Sequence, residues 1–486
     1  MSFTASKAGI VSFEEARHVV EQHAAELLAA RSDSRPTEIV DLADTRGRVL
    51  AEPILADRDF PPFPRATRDG YAVRAADVER VPARLKVVGE IKAGDSPDIS
   101  PLRAGQAVSI MTGASVPPGA DAVVMVEYTV AKAFPSDVFD SHHEKDGRAG
   151  SPDAESVTLR WGSLGVQFIE VQRSVASGEN FVPRGAEARL GQVLADKGRR
   201  LDHALIGMAA AVGKNRVRVF RKPRVAVLAT GNEVVEIDVA PGAAQIRNSN
   251  SYSLAAQIET AGGEALRLEI APDEPKRLRQ LIQQGLECDL LLITGGVSMG
   301  KYDLVEQVLG EINAEFYFTG ARIQPGKPVV FGSCMCGADT LVRAGGSRTA
   351  GAQTRLPVPQ NAQKRRVPGT AAPAPHYFFG LPGNPVSTMV TFRLFAQPMI
   401  AALAGAQPEP LYFLKARLKS EVRTKTGLTR FLPAVLSGEF ENSEVELAAW
   451  QGSGDIAALA RANCYLVIPP DRERIGAGEW VSVLPI

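Results

Sequence analysis

The sequence predicts a multidomain α/β plus β protein: a central doubly wound α/β domain, an inserted small β domain, a composite helical N-terminal domain and a C-terminal β barrel. Three observations predict it. At 486 residues the chain is too long for one core, and roughly 150 residues per domain points to about three. Between 214 and 405, apolar strand-like runs alternate with segments of helical period, the pattern of a mainly parallel sheet wrapped by helices. Residues 53–185 and 406–486 carry short β-like runs broken by glycine and proline turns.

Residues 11–52 open on an amphipathic helix with Val19, Val20, Leu27 and Leu28 on one side. The segment is too small to fold alone. A second isolated amphipathic stretch, LDHALIGMAAAVG, falls within 186–213, so the two are expected to pack together as the composite N-terminal domain, interrupted by the β domain of 53–185. In the latter, DRDFPPFPRATRDGYAV (Asp57 to Val73) is held extended by its prolines and ends on the Asp69-Gly70 turn, and Thr112-Gly113 marks another turn. Residues 136–153 are polar and read as a solvated excursion.

The α/β domain, 214–405, has the clearest grammar. RVAVLAT, ALRLEI, DLLLIT, PVVFG and HYFFG read as strands, with helices at 253–261, 274–287, 303–312 and 386–403 between them. TGNE, APDE, TGGVSMG and GLPGNP each begin where a strand ends at its carboxyl edge, and that edge is where open α/β sheets bind ligands. Gly295, Gly296 and Gly300 allow close backbone approach, while Thr294, Ser298, Lys301 and Asp303 add hydroxyls, a cation and a carboxylate suited to an oxyanion. In Pro325-Gly326-Lys327-Pro328 two prolines stiffen the backbone and aim the ammonium. Gly383, Asn384 and Pro385 suit a helix start, whose free amides also favour an anion. Glu233, Asp273 and Asp303 occupy three post-strand loops, where they can hold Mg²⁺ through oxygen or, for the two aspartates, cap helices. No serine, histidine and aspartate set is visible, so metal-assisted chemistry on an anionic ligand is expected. Residues 337–375, rich in Gly, Ala, Pro and arginine, read as a disordered insertion.

Composition narrows the class further. With 45% hydrophobic and 23% charged residues, and 55 basic balancing 55 acidic side chains, no global field draws the chain to nucleic acid or membrane. The first 30 residues are charged and amphipathic, and no run of 18 apolar residues occurs, so a cytoplasmic location is expected. Cys288, Cys334, Cys336 and Cys464 are too irregularly spaced for a disulfide framework or a four-ligand zinc site.

Taken in order, DGYAV, MTGA, TGNE, TGGVSMGKYD, PGKP and GLPGNP resemble the molybdopterin molybdenumtransferases, the MoeA and gephyrin E-domain family, from about Phe13 to the C-terminus. The resemblance implies a molybdopterin-binding type α/β domain in a homodimeric enzyme. It implies that adenylylated molybdopterin and molybdate, with a divalent cation, give molybdenum cofactor and AMP, in a cleft between the α/β region of one subunit and the C-terminal β domain of the other. Carried over by motif, Asp69, Thr112, Glu233, Asp273, Asp303 and Lys327 match functional positions, as do Arg430 of GLTRFLPA and Ser453 of QGSGDI. Thr294, Gly295, Gly296, Ser298, Pro325, Gly326, Gly383 and Asn384 are the substrate-binding candidates. Molybdopterin adenylyltransferase and molybdoenzyme maturation proteins are the implied protein partners. The chain departs from the family at Gln324, where many members are basic, and at Ala186, where many show RGED. Two other readings share the module: a gephyrin-like scaffold that binds peptides, and a nucleotide pyrophosphatase.

Overall fold

The computed structural model describes residues 9–30, 35–95, 100–132, 168–296, 304–335 and 375–486. The chain divides into two compact units, one of Met1–Glu52, Lys197–Ile206 and Asn215–Ile486, the other of Pro53–Asp196 and Gly207–Lys214.

The first unit begins with helix α1 (Phe13–Ala30). Its start is a capping box: Ser12 Oγ accepts from the Glu15 amide at 3.1 Å and the Glu15 carboxylate accepts from the Ser12 amide at 2.8 Å. Phe13, Ala16, Val20, Ala24 and Leu27 form its buried stripe. Sequence alone suggests the 201–213 helix as its partner, yet the stripe enters the α/β core, among Leu254, Phe318 and Phe395. Strand pairing instead gathers the remaining N-terminal pieces of this unit, since Thr37–Asp41 runs antiparallel to Arg216–Phe220.

The sheet of this unit is built from β1 (Arg224–Ala229), β2 (Glu264–Arg267), β3 (Leu290–Thr294), β4 (Glu315–Phe318), β5 (Val330–Cys334) and β6 (His376–Leu381), in the order β2-β1-β3-β6-β5-β4. The first four of that order are parallel, β5 runs antiparallel to β6, and β4, antiparallel to β5, again runs with the first four. Alternate residues supply two cores. Val225, Val227, Leu290 and Leu292 face α1 and α2 (Ser249–Thr260), whereas Ala226, Leu228, Leu291 and Ile293 face α3 (Pro275–Gly285) and α4 (Leu304–Glu311). Burial on both faces explains the unbroken apolar runs. Strand β4 was not legible in sequence because four residues that follow directly on the turn at Asn313 (φ 56°) show no usable period.

A continuous apolar helix of 19 residues is made by α5 (Pro385–Thr391), a π-helical turn at Phe392–Ala396 and α6 (Gln397–Leu403). Pro398 cannot donate the bond an α-helix needs there, which accounts for the widened turn just before it. This helix is long and apolar enough to cross a bilayer, but 78% of it is buried as the centre of the α/β core.

The chain then forms a closed barrel of β7 (Leu414–Leu418), β8 (Thr429–Ser437), β9 (Glu444–Leu447), β10 (Cys464–Ile468) and β11 (Trp480–Pro485), ordered β8-β9-β7-β11-β10 with β10 returning to β8. Its wall merges with the α/β core through Phe431, which meets Phe13 edge-on at 5.1 Å. Burial pushes the Cys464 thiol up to about 11, as suits an inert core cysteine. The second unit holds a six-stranded sheet ordered Ala122–Met125, Gly70–Val73, Gln106–Ile110, Ala83–Ile91, Phe168–Val171, Thr129–Lys132. The polar insertion of 136–153 lies outside the described residues, as does nearly all of 337–375.

One half-buried ionisable group gives a pH prediction. His23 of α1 stacks on Tyr317 at 4.0 Å, meets Phe331 and Tyr377 edge-on, and has Glu26 of its own helix at 3.7 Å. Burial lowers its pKa from the ordinary 6.5, against the opposing pull of Glu26 and of Glu315 on β4. The folded protein therefore prefers neutral His23, so its contribution to stability is present above pH 6.5 and declines as pH falls from there through the lowered folded value. The urea midpoint of the native chain is expected to fall more between pH 7.5 and 5.5 than that of His23→Phe; parallel declines would refute this.

Candidate active site

A cleft of about 720 Å³ opens at the carboxyl edge of the parallel strands. Its floor is the glycine turn after β3. Gly295 and Gly296 have φ of 89° and 64°, and a side chain on either would strike Thr230, 2.7 Å away at its carbonyl and 2.9 Å at its hydroxyl. Thr294 anchors the turn: its hydroxyl donates to the Pro382 carbonyl at 3.2 Å and accepts from Asn250 Nδ2 at 2.9 Å, and that amide also reaches the Gly383 carbonyl at 2.7 Å. Asn250 thus ties the turn after β3 to the one after β6. Sequence reading missed it because helix α2 starts four residues earlier than its period suggests, at the N-cap Asn248. The Asn-Ser-Asn run was the available signal.

Lys327 lines the cleft beside Gln324, Pro325, Gly326 and Pro328. Among the described residues no carboxylate lies within ion-pair distance of its ammonium. Gly383 and Asn384 form another wall. Asn384 is the N-cap of α5 without using its side chain as a cap; its Nδ2 donates instead to Ser453 Oγ at 2.7 Å, and the Ser453 carbonyl accepts from the Val386 amide at 3.0 Å. The barrel of the same chain therefore covers the cleft, with Leu428, Trp450, Gly452 and Ser453 in its lining. The Ile323–Gln324 strand also pairs directly with Thr429 and Arg430 of β8.

Glu233 lines the cleft, with its carboxylate folded over Gly231. Asp273 does not cap the helix after it, whose N-cap is Glu274. Its carboxylate accepts from the Asn232 amide at 3.4 Å and its own amide donates to Asn232 Oδ1 at 3.2 Å, so the loops carrying the two acids are joined. Two hard oxygen donors in joined loops suit Mg²⁺. Ser298 and Asp303 lie outside the described residues, and among the described ones no three acidic, histidine or cysteine side chains gather as a metal-binding group.

Arg430 lies next to the cleft on β8. It is only 6% exposed, donates to the Leu428 carbonyl at 3.1 Å, and sits beneath the lining rather than in it. Burial lowers its pKa. The residue beside it that reaches the cleft is Gln324.

Asp69 and Thr112 belong to the second unit, where they meet: the Thr112 amide donates to Asp69 Oδ1 at 2.6 Å. That bond, with one from the Thr112 side chain, holds the Asp69 carboxyl below its ordinary range. In the same unit Glu187, the acid nearest Ala186, pairs with Arg65 at 2.7 Å.

The chain is matched in tandem by three family models: MoeA N-terminal region (domain I and II) over residues 11–213, probable molybdopterin binding domain over 226–402, and MoeA C-terminal region (domain IV) over 415–486. The molybdopterin molybdenumtransferase of Nostoc sp. is 32% identical over 94% of this chain and 91% of its own length. That of Bacillus subtilis is 29% identical over 93% and 90%. A crystal structure of the molybdopterin biosynthesis moeA protein from Pyrococcus horikoshii OT3 superposes with a TM-score of 0.66 at 26% identity, covering 98% of this chain and 100% of that one. With a relative above 30% identity along nearly its whole length, and with all three regions present in order, the chain belongs to the molybdopterin molybdenumtransferase family.

Proposed function

We propose that this chain transfers molybdenum from molybdate to adenylylated molybdopterin and releases AMP, a step of molybdenum cofactor biosynthesis. The observation that carries the reading is the cleft itself. Glycine turns, Asn384 and an aimed lysine converge at one sheet edge, as binding a phosphate or an oxyanion such as molybdate requires. The Gly295-Gly296 turn lets the anionic group approach the backbone closely, Lys327 offsets its charge, and Asn384 with Ser453 fixes the barrel over it. Glu233, Asp273 and Asp303 would hold Mg²⁺, which supplies neutralisation of the pyrophosphate charge when bound. The family resemblance also supports a homodimer, which sedimentation equilibrium decides, and a cytoplasmic location, which fractionation decides.

The test follows AMP release from adenylylated molybdopterin in Mg²⁺ buffer with and without molybdate. Release is expected to depend on molybdate, to fall at least about tenfold with a chelator and to return with Mg²⁺. Folded protein that binds the substrate yet frees no AMP would reject the reading.

A further inference from the structure

One wall of the cleft contributes no charge. It consists of Leu428 and Trp450, next to Ile323, which is itself fully buried. Leu428 directly precedes the residue with which Ile323 pairs, so these two are neighbours by register. Trp450 backs onto the barrel core formed by Ala434, Leu466 and Val483 while lining the cleft. It is also held from both sides along the backbone. The Ala449 carbonyl accepts from Arg461 Nη2 at 3.2 Å, and the Gln451 amide donates to Asp455 Oδ2 at 3.0 Å, while the other oxygen of Asp455 caps the helix at Ala458. Those bonds hold the backbone that carries the indole before any ligand arrives.

A cleft of about 720 Å³ is far larger than one oxyanion needs and suits a ligand of several rings. The glycine turn, Lys327 and Asn384 account for anionic groups, whereas Leu428 and Trp450 suit an apolar or aromatic part of the ligand. We infer that Trp450 is a stacking platform for a flat nitrogen heterocycle of the substrate, the adenine or the pterin, laid against the indole. The inference rests on the substrate class proposed above and adds the residue that would select its ring.

The full-length protein is titrated with AMP, with pterin-6-carboxylate and with ribose 5-phosphate, by calorimetry and by tryptophan fluorescence. Trp450→Ala is expected to weaken binding of the stacked ring about tenfold while changing ribose 5-phosphate by less than about twofold. Which heterocycle loses affinity identifies the ring. Trp450→Phe keeps a flat ring and should bind within about threefold of the native chain, but without the native fluorescence quenching. Should Trp450→Ala fail to fold, the loss of quenching with retained affinity in Trp450→Phe carries the test. Equal losses for the heterocycles and ribose 5-phosphate, no loss at all, or no heterocycle binding by native protein would each overturn the platform. Molybdate-dependent AMP release by the native chain is read separately, so failure of the platform and failure of the transferase reading are distinguishable.

Discussion

Replacing Lys327 by methionine is expected to lower kcat/KM for molybdate-dependent AMP release by about 100- to 1000-fold, the range seen when one preorganised charge-stabilising donor is removed. The size of the effect follows from how the side chain is held. Ile323 and Gln324 are fixed to β8 of the barrel, and the Lys327 carbonyl accepts from the amides of Ala321 at 3.0 Å and Val329 at 3.1 Å. Gly326 lies so close to Thr391 that a side chain there would approach its methyl to 2.5 Å. The ammonium is thus presented from a rigid hairpin, and little reorganisation is spent when an oxyanion arrives. Lys327→Arg keeps the charge but not the compact geometry and should recover only part of the rate. Steady-state AMP release with the urea midpoint as a folding control is the measurement; a loss below about threefold in Lys327→Met would place the lysine outside the reaction.

The largest effect on stability is expected for Phe395→Ala, at about 3–5 kcal/mol. Phe395 is fully buried in the π-helical turn, with Phe13 of α1 at 6.3 Å and Phe318 of β4 at 6.0 Å between ring centres. Phe13 in turn touches Phe431 of the barrel, so one ring supports the contacts among helix, sheet and barrel. Removing it leaves a cavity where three elements meet and cannot collapse together. Urea unfolding followed by far-ultraviolet dichroism should show the midpoint fall strongly in Phe395→Ala and much less in Phe395→Leu. Similar small shifts in both would mean that the aromatic cluster is not what holds α1 in place.

Much of this was readable beforehand, for identifiable reasons. The runs that became β1, β3, β5 and β6 were visible because burial on both faces writes the same apolar signature into the chain wherever such a strand occurs. The glycines at 295 and 296 were visible because no other residue type tolerates that backbone path so readily. Helix α1 was visible from its stripe, but its partner was not: an amphipathic face records that something covers it, never what. Strand β4 was hidden by its shortness, and Asn250 by a helix whose first turn carries too few apolar residues to register as helix.

What the sequence determined by itself was therefore local: the alternation of strand and helix, the placing of TGNE, TGG and GLPGNP at strand ends, and the residue types those turns supply. Only the tertiary structure decided that the barrel of the same chain covers the cleft, that Arg430 lies beneath the lining while Gln324 faces it, and that Trp450 joins the wall. These depend on pairings such as Ile323 with Thr429 and Asn384 with Ser453. The partners are 106 and 69 residues apart in the chain, and which of two neighbouring side chains points into a cleft is set by strand register, on which a one-residue shift reverses every side chain.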